Sequence, residues 1–234
     1  MPHRVPSSPE GNGLAEALGE IARTLQAEPD VDTTLAAIVK AAVDHIDGAA
    51  HAGISLAERG GQIRTVAPTD DLVTRIDQLQ YRTREGPSVN AIAEHEIFRA
   101  DDLATEARWP TFAPAAAEAG IRSMLSYRLF TTDTTLGALN LYSTEQFAFS
   151  EQTAHDGRMF ATHAAIALAA ASTEANLRMA VEHRDTIGMA KGLLMQAHDV
   201  DPVHAFRMLV EASQHSNMKL HQVAAWLVEH RRDL

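Results

Sequence analysis

The chain has no cysteine in its 234 residues. Disulfides, thiol nucleophiles, cysteine-bound zinc and thioether-linked bilins are thereby excluded. Long apolar runs are also missing. The longest, "AAIALAAA" at 164–171, falls far short of a bilayer. The first thirteen residues, "MPHRVPSSPEGNG", contain no apolar signal core and read as a flexible Pro/Ser/Gly tail, so a cytoplasmic protein is expected. Basic charge is scarce: 20 Lys and Arg stand against 31 Asp and Glu, a net charge of −11, which argues against a nucleic-acid binder.

What is present changes that last reading. The excess of acid is confined to residues 1–174, while residues 175–234 carry 7 charges of each sign and six of the twelve histidines. Apolar residues make up 45 % of the chain, enough for a core. Two domains with different partners are the expectation.

Helical spacing of apolar residues marks 14–28 and 32–46. The period then shortens. "AGISLAE" (52–58) and "QIRTVA" (62–67) form a predicted hairpin, followed by short helices at 71–79 and 87–95. "EIFRADD" (96–102) reads as a strand and "WPTFAPAAAEAG" (109–120) as a helix stopped by Gly120. "SMLSYRLF" (123–130) and "LGALNLYS" (136–143) are the clearest strand pair. A helix opens at Ser150 and nothing stops it before about residue 198. Asp201 and Pro202 then start another helix, with Val203, Phe206, Leu209, Val210 and Ser213 as its expected inner face. After a turn near Asn217, Leu220, Val223, Ala224 and Leu227 line the last helix.

Inside the long helix, "IGMAKGLLMQ" (187–196) carries Gly188 and Gly192 on one side, next to a packing face of Ile187, Ala190, Leu194 and Ala197. Each glycine costs about 1 kcal/mol against alanine in a helix interior. Bare backbone on one side implies a close neighbour there, either another helix or a ligand. Farther up the helix, Ile166, Thr173, Ala180 and Ile187 repeat every seven residues, as do Ala170 and Leu177. That is an alanine-rich coiled-coil seam, and a homodimer is expected from it.

Two stretches resemble known families. Gly86-Pro87, "ADDL" (100–103), "RWPTF" (108–112), "GIRSML" (120–125) and "LGALNLYS" resemble the GAF sensor domain over roughly 32–170. Residues 184–224 resemble the ANTAR domain, a three-helix RNA-binding module of transcription antitermination. The match runs through Ile187, Gly188, Ala190-Lys191-Gly192, Leu194-Met195, Ala205-Phe206, Leu209, Ser213-Gln214, Asn217, Lys219-Leu220 and Val223-Ala224. Met189, Ala197, Val210 and Met218 depart from it, standing where basic or amide residues are common in that family.

The fold implied is an α+β GAF domain, an antiparallel sheet with flanking helices, joined by a long helix to an all-α three-helix ANTAR domain. The implied boundaries are a tail at 1–13, the GAF-like domain with its N-terminal helix at 14–170, a helical linker at 171–183 and the ANTAR domain at 184–234. The ANTAR resemblance implies RNA contacts at Arg184, Gly188, Lys191, Gly192, Ser213, Gln214, Asn217 and Lys219, made to hairpins in nascent transcripts. The neutral charge of this segment implies help from dimerisation or protonated histidines. The GAF resemblance implies a small-molecule ligand or a pocket used only for dimerisation, with pocket candidates Gly86, Ser88, Asn90, Trp109 and Phe112. No catalytic residue, cofactor, metal site or membrane partner is expected. His198 and His204, or His215 and His221, lack the i,i+4 spacing that puts two ligands on one helical face. The rival reading is a non-catalytic sensor or scaffold whose helical tail dimerises or binds protein without RNA.

Overall fold

The computed structural model describes residues 30–231 except 59, 95, 96 and 133, together with 19 and 23. Most of the amphipathic run at 14–28, and all of the tail at 1–13, lie outside the described residues. The chain divides into two compact units, 1–172 and 173–234.

In the first unit five strands form one antiparallel sheet: β1 (His51–Ala57), β2 (Ile63–Val66), β3 (Ile97–Ala100), β4 (Ser123–Phe130) and β5 (Thr135–Ser143). Their order is β2-β1-β5-β4-β3. Alternation along the central strands sends Ile54, Leu125, Tyr127, Leu139 and Leu141 to one face. There they meet α1 (Val31–His45) and the first part of α5 (Glu151–His198). The other face carries Met124 and Tyr142 and is covered by α2 (Asp71–Thr83), α3 (Pro87–Glu94) and α4 (Phe112–Glu118). A helix layer thus covers each face of the sheet, with a separate apolar cluster in each.

Local chemistry sets the element ends. Asp30 caps α1 through Thr33 N–H at 3.2 Å, and Asp70 caps α2 through Leu72 and Val73 N–H. α2 runs four residues past its expected end and stops at Arg84, which adopts the left-handed conformation at φ 56°. The expected helix at 109–120 starts only at Phe112. The Glu85 carboxylate accepts from Thr111 and Phe112 N–H at 2.8 and 2.9 Å, so it caps α4 from 26 residues away in sequence. Four carboxylates that cap helix N-termini, Asp30, Asp70, Glu85 and Asp201 below, also suit the positive end of the helix dipole.

The second unit comprises the C-terminal part of α5, α6 (Pro202–Ser216) and α7 (Leu220–Glu229). Asp201 caps α6 through Val203 and His204 N–H, with Pro202 at its first turn. Its core is small: Ala190, Leu194, Ala205, Leu209, Val223 and Ala224, supported by Ile187, Leu220 and Leu227. The inner face of α6 differs from the expected one. Leu209 is buried as expected, but Val203 is 80 % exposed and Phe206 is 41 % exposed, and Ala205 is buried in their place. Alanines at 190, 205 and 224 allow close helix approach, so α6 turns its small side inward. Ala197, assigned to the packing face of α5, is exposed as well.

Glycines on α5 play opposite roles in the two units. A Cβ on Gly157 would overlap the hydroxyl and ring of Tyr127, whose O–H donates to the carbonyls of Thr153 and Ala154. Gly157→Ala is therefore expected to destabilise the first unit by about 1–3 kcal/mol, although alanine is the better helix former. Urea denaturation checks this; an unchanged or raised midpoint would remove Gly157 as a packing constraint.

Candidate functional site

The face of the sheet beneath α2 and α3 holds a buried polar cluster. It grows from strand positions where alternation would ordinarily demand apolar residues: Ser55 on β1, Ser126 on β4, and Asn140 and Tyr142 on β5, all fully buried. α2 adds Asp77 and Gln80, and α3 adds Ser88, also fully buried. Asp77 sits at the centre. Its carboxylate accepts from Thr65 Oγ1 at 2.8 Å, Gln80 Nε2 at 3.1 Å and the Tyr142 hydroxyl. No cation pairs with it among the described residues. Burial pushes its pKa up to about 6, against these three donors.

The hydroxyl of Tyr81 lies 2.6 Å from Ser55 Oγ and 2.8 Å from Thr65 Oγ1. Asn140 Nδ2 donates to Ser55 Oγ at 2.8 Å and Ser88 Oγ at 3.2 Å. Two atoms of the cluster have no hydrogen-bond partner among the described residues: Ser126 Oγ and Asn140 Oδ1. Ser126 and Asn140 are direct cross-strand partners, so both atoms belong to one spot on the sheet. Tyr81 also lines an open cleft of about 670 Å³, with Gln62, Ile63, Arg64, Arg84 and Val89.

The pocket residues expected from sequence divide between this cluster and the apolar core. Gly86 is buried at φ 120°, and a Cβ there would run into the Gln80 side chain. Ser88 belongs to the polar cluster, with its N–H donating to Gln80 Oε1 at 2.9 Å. Asn90 accepts from Trp109 Nε1 at 3.0 Å. Trp109 and Phe112 pack edge to face at 6.4 Å in the apolar cluster beside β4, and are 3 % and 0 % exposed. Gly86 and Ser88 thus lie at the polar cluster, whereas Trp109 and Phe112 are core. Asp77, Tyr142, Thr65, Gln80 and Asn140 were missed from sequence. The available signal was polar residues at core-facing strand positions.

In the second unit, Gly188 and Gly192 are exposed, and a Cβ on either would meet nothing within 4 Å. Of the two alternatives, a neighbouring helix or a ligand, the first is not met among the described residues, because α6 and α7 lie on the Ala190/Leu194 side. Lys191, between them, points its ammonium over the ring of Phe206 at 5.9 Å. Arg184 is exposed two turns earlier on α5.

The other predicted RNA contacts gather at the α6–α7 turn. Ser213 Oγ donates to the Met218 carbonyl at 2.6 Å, and Asn217 takes the left-handed conformation that ends α6, so these two residues build the turn. Gln214 and Lys219 flank it, exposed. His183 and His221 stack at 3.8 Å between α5 and α7. Partial burial, then the like charges of His183 and Lys219, hold His221 below the ordinary imidazole range. Protonation of His221 is therefore disfavoured, and this ring is a poor reserve of positive charge for a polyanion.

A GAF domain family model matches residues 28–169, and an ANTAR domain model matches residues 175–228. Among solved structures, the GAF domain from a phosphoenolpyruvate-protein phosphotransferase of Coxiella burnetii aligns at 18 % identity and a TM-score of 0.57, over 72 % of this chain and 99 % of that one. Free methionine-R-sulfoxide reductase from Neisseria meningitidis, in complex with its substrate, aligns at 16 % identity and 0.53, over 74 % and 98 %. The phytochrome photosensory core module of Stigmatella aurantiaca aligns at 12 % identity and 0.59, over 88 % of this chain and 45 % of that one. At such identities the likeness is one of fold alone. No curated protein matches the chain.

The buried carboxylate makes a pH prediction. Its folded-state pKa, about 6, is raised above the ordinary 3.8, so the folded state binds the proton more tightly than the unfolded one. Stability of the first unit is then expected to rise as pH falls from about 6 towards 4. Asp77→Asn removes the penalty and keeps an acceptor for Tyr142 and Gln80. It should stabilise the unit by roughly 1–3 kcal/mol at pH 7 and by almost nothing at pH 4. Urea titrations of both proteins across this range provide the check, and a variant less stable at pH 7 would contradict the assignment.

Proposed function

The chain belongs to the GAF domain family and carries an ANTAR domain behind it, and on that premise we propose that it is an RNA-binding transcription antitermination regulator. Its ANTAR unit takes hairpins in nascent transcripts, and its GAF unit serves as small-molecule sensor or dimerisation platform. Both domains are regulatory, non-catalytic modules, and the absence of cysteine closes any thiol-based reductase chemistry on this scaffold. The site of action is the cytoplasm, where transcripts are made. No described helix is long and apolar enough to cross a membrane.

The observation that carries the RNA reading is the open backbone at Gly188 and Gly192 beside Lys191 and Arg184. Among the described residues, nothing lies within 4 Å of where a Cβ on either glycine would sit. A phosphate or sugar edge fits such a strip, since it needs a near approach and a cation. Ser213 and Asn217 act by shaping the turn that holds Gln214 and Lys219. The sensor half of the reading rests on Ser126 Oγ and Asn140 Oδ1, two buried polar atoms at one spot without a partner among the described residues. Leaving such groups unsatisfied costs about 1–3 kcal/mol each, a cost that a polar ligand would relieve.

Dimerisation is the reading of the exposed middle of α5. Leu177, Met179 and Val181 are 64 %, 47 % and 60 % exposed in a stretch, 176–182, with no buried residue. Leu177 continues the seven-residue repeat, so a parallel pairing of two copies along this segment is proposed. Sedimentation is expected to give a dimer at micromolar concentration; a monomer there removes the seam. The same exposed stripe supports the rival reading, a scaffold whose tail dimerises without RNA.

Gel shifts of hairpin RNA against duplex DNA separate these readings. Lys191→Ala should weaken hairpin binding several-fold and lower the slope of log K against log salt by about one unit. Gly192→Ala should stabilise the helix by about 1 kcal/mol while weakening RNA binding. Equal RNA affinity in both variants would remove the glycine strip from the interface.

A further inference from the structure

The outer face of α7 carries an aromatic surface that the core does not use. α7 packs inward through Leu220, Val223, Ala224 and Leu227, and Trp226 lies off that stripe at 54 % exposure. The indole stacks on the imidazole of His230 with centroids 4.5 Å apart and planes 20° from parallel. His230 Nδ1 lies 2.8 Å from the Trp226 carbonyl, which can only accept, so Nδ1 carries the proton and the ring is pinned beneath the indole. Among the described residues no further ring or cation lies over Trp226. A rigid, two-ring plane therefore faces solvent on one side.

Its surroundings are cationic. Lys219, the exposed N-cap residue of α7, stands seven residues before Trp226. Arg231 is exposed just past the helix end, its guanidinium 3.3 Å from the Val228 carbonyl. The nearby acids in sequence are Glu229 and Asp233, against Lys219, Arg231 and Arg232. An exposed flat ring with a fixed partner and flanking cations, in a chain of net charge −11, matches a polyanion that carries flat rings. A second copy of this acidic chain would bring no comparable complement to those cations. Base-on-aromatic stacking needs this geometry and little sequence readout.

We propose that Trp226 and His230 form a stacking platform for an unpaired base in the loop of hairpin RNA, with Lys219 and Arg231 against the flanking phosphates; this rests on the RNA-binding reading above. The platform reads the single-stranded loop, while the glycine strip on α5 takes backbone.

Tryptophan emission of the full chain tests it. Trp109 is 3 % exposed, so acrylamide reaches mainly Trp226. Two RNAs are used, one hairpin with a nucleotide loop and one with the same stem closed by a non-nucleotide tether. The looped RNA is expected to quench Trp226 and shield it from acrylamide. Trp226→Ala should weaken binding of the looped RNA by about 5- to 100-fold, with an unchanged melting temperature and an unchanged salt slope. Trp226→Phe should restore most of the affinity. Lys219→Ala should instead lower the salt slope by somewhat under one unit. Wild-type affinity for the looped RNA in Trp226→Ala overturns the platform, as does an equal loss on both RNAs. A change confined to sedimentation reassigns the face to self-association and also overturns it. Wild-type protein that binds neither RNA overturns the RNA-binding reading itself, together with the platform.

Discussion

The carboxylate of Asp77 takes hydrogen bonds from β2, α2 and β5 at once, through Thr65, Gln80 and Tyr142. A buried charge without a cation is among the most expensive features a core can hold, and it persists only when its donors are fixed. Those donors are fixed because the sheet presents two different faces. The face towards α1 and α5 is apolar through Ile54, Leu125, Leu139 and Leu141. The opposite face carries Ser55, Ser126 and Asn140 at its centre, where apolar side chains would have packed α2 and α3 more cheaply. The GAF unit thus keeps a polar interior at a cost in stability. An apolar interior there would be tighter, without the unpartnered polar atoms on which the proposed sensor role rests.

Small residues do the complementary work along α5. In the first unit Gly157 and the alanines at 161, 164, 165 and 167 let the helix lie close on the sheet, with Gly157 making room for Tyr127. In the second unit Ala190 meets Ala205 and Ala224, and three helices close around a core of few large side chains. A core so small stabilises weakly. It also leaves the larger apolar groups, Phe206, Val203 and Trp226, on the outside. Their exposure follows from which side of each helix is small enough to approach a neighbour, and hydrophobicity alone misassigns it.

That distinction explains what was legible in the sequence. The element order, the antiparallel strands, the long helix and the Asp201–Pro202 start could be read, because period and capping are local properties. The inner face of α6 could not. Val203, Phe206 and Val210 have the better apolar pattern, yet close approach at Ala205 decides the rotation. The start of α4 was misread for a related reason, since its cap is Glu85, far away in sequence. The polar cluster was invisible for a third reason. A serine in a strand is unremarkable until the partner across the sheet is known, and the pairing of Ser126 with Asn140 is a long-range fact.

The glycines of the C-terminal unit carry the argument one step further. A glycine retained inside a helix implies a close neighbour, and Gly157 has one while Gly188 and Gly192 have none among the described residues. The penalty of about 1 kcal/mol for each falls on a unit with little stability to spare. Lys191 and Lys219, two of the chain's three lysines, lie in this unit, and the acid excess is confined to residues 1–174. Cations beside open backbone on α5, and a pinned aromatic pair on α7, are different chemistries on separate helices. A hairpin RNA supplies the complement to both, because its stem offers phosphates and sugars and its loop offers bases that are free to stack.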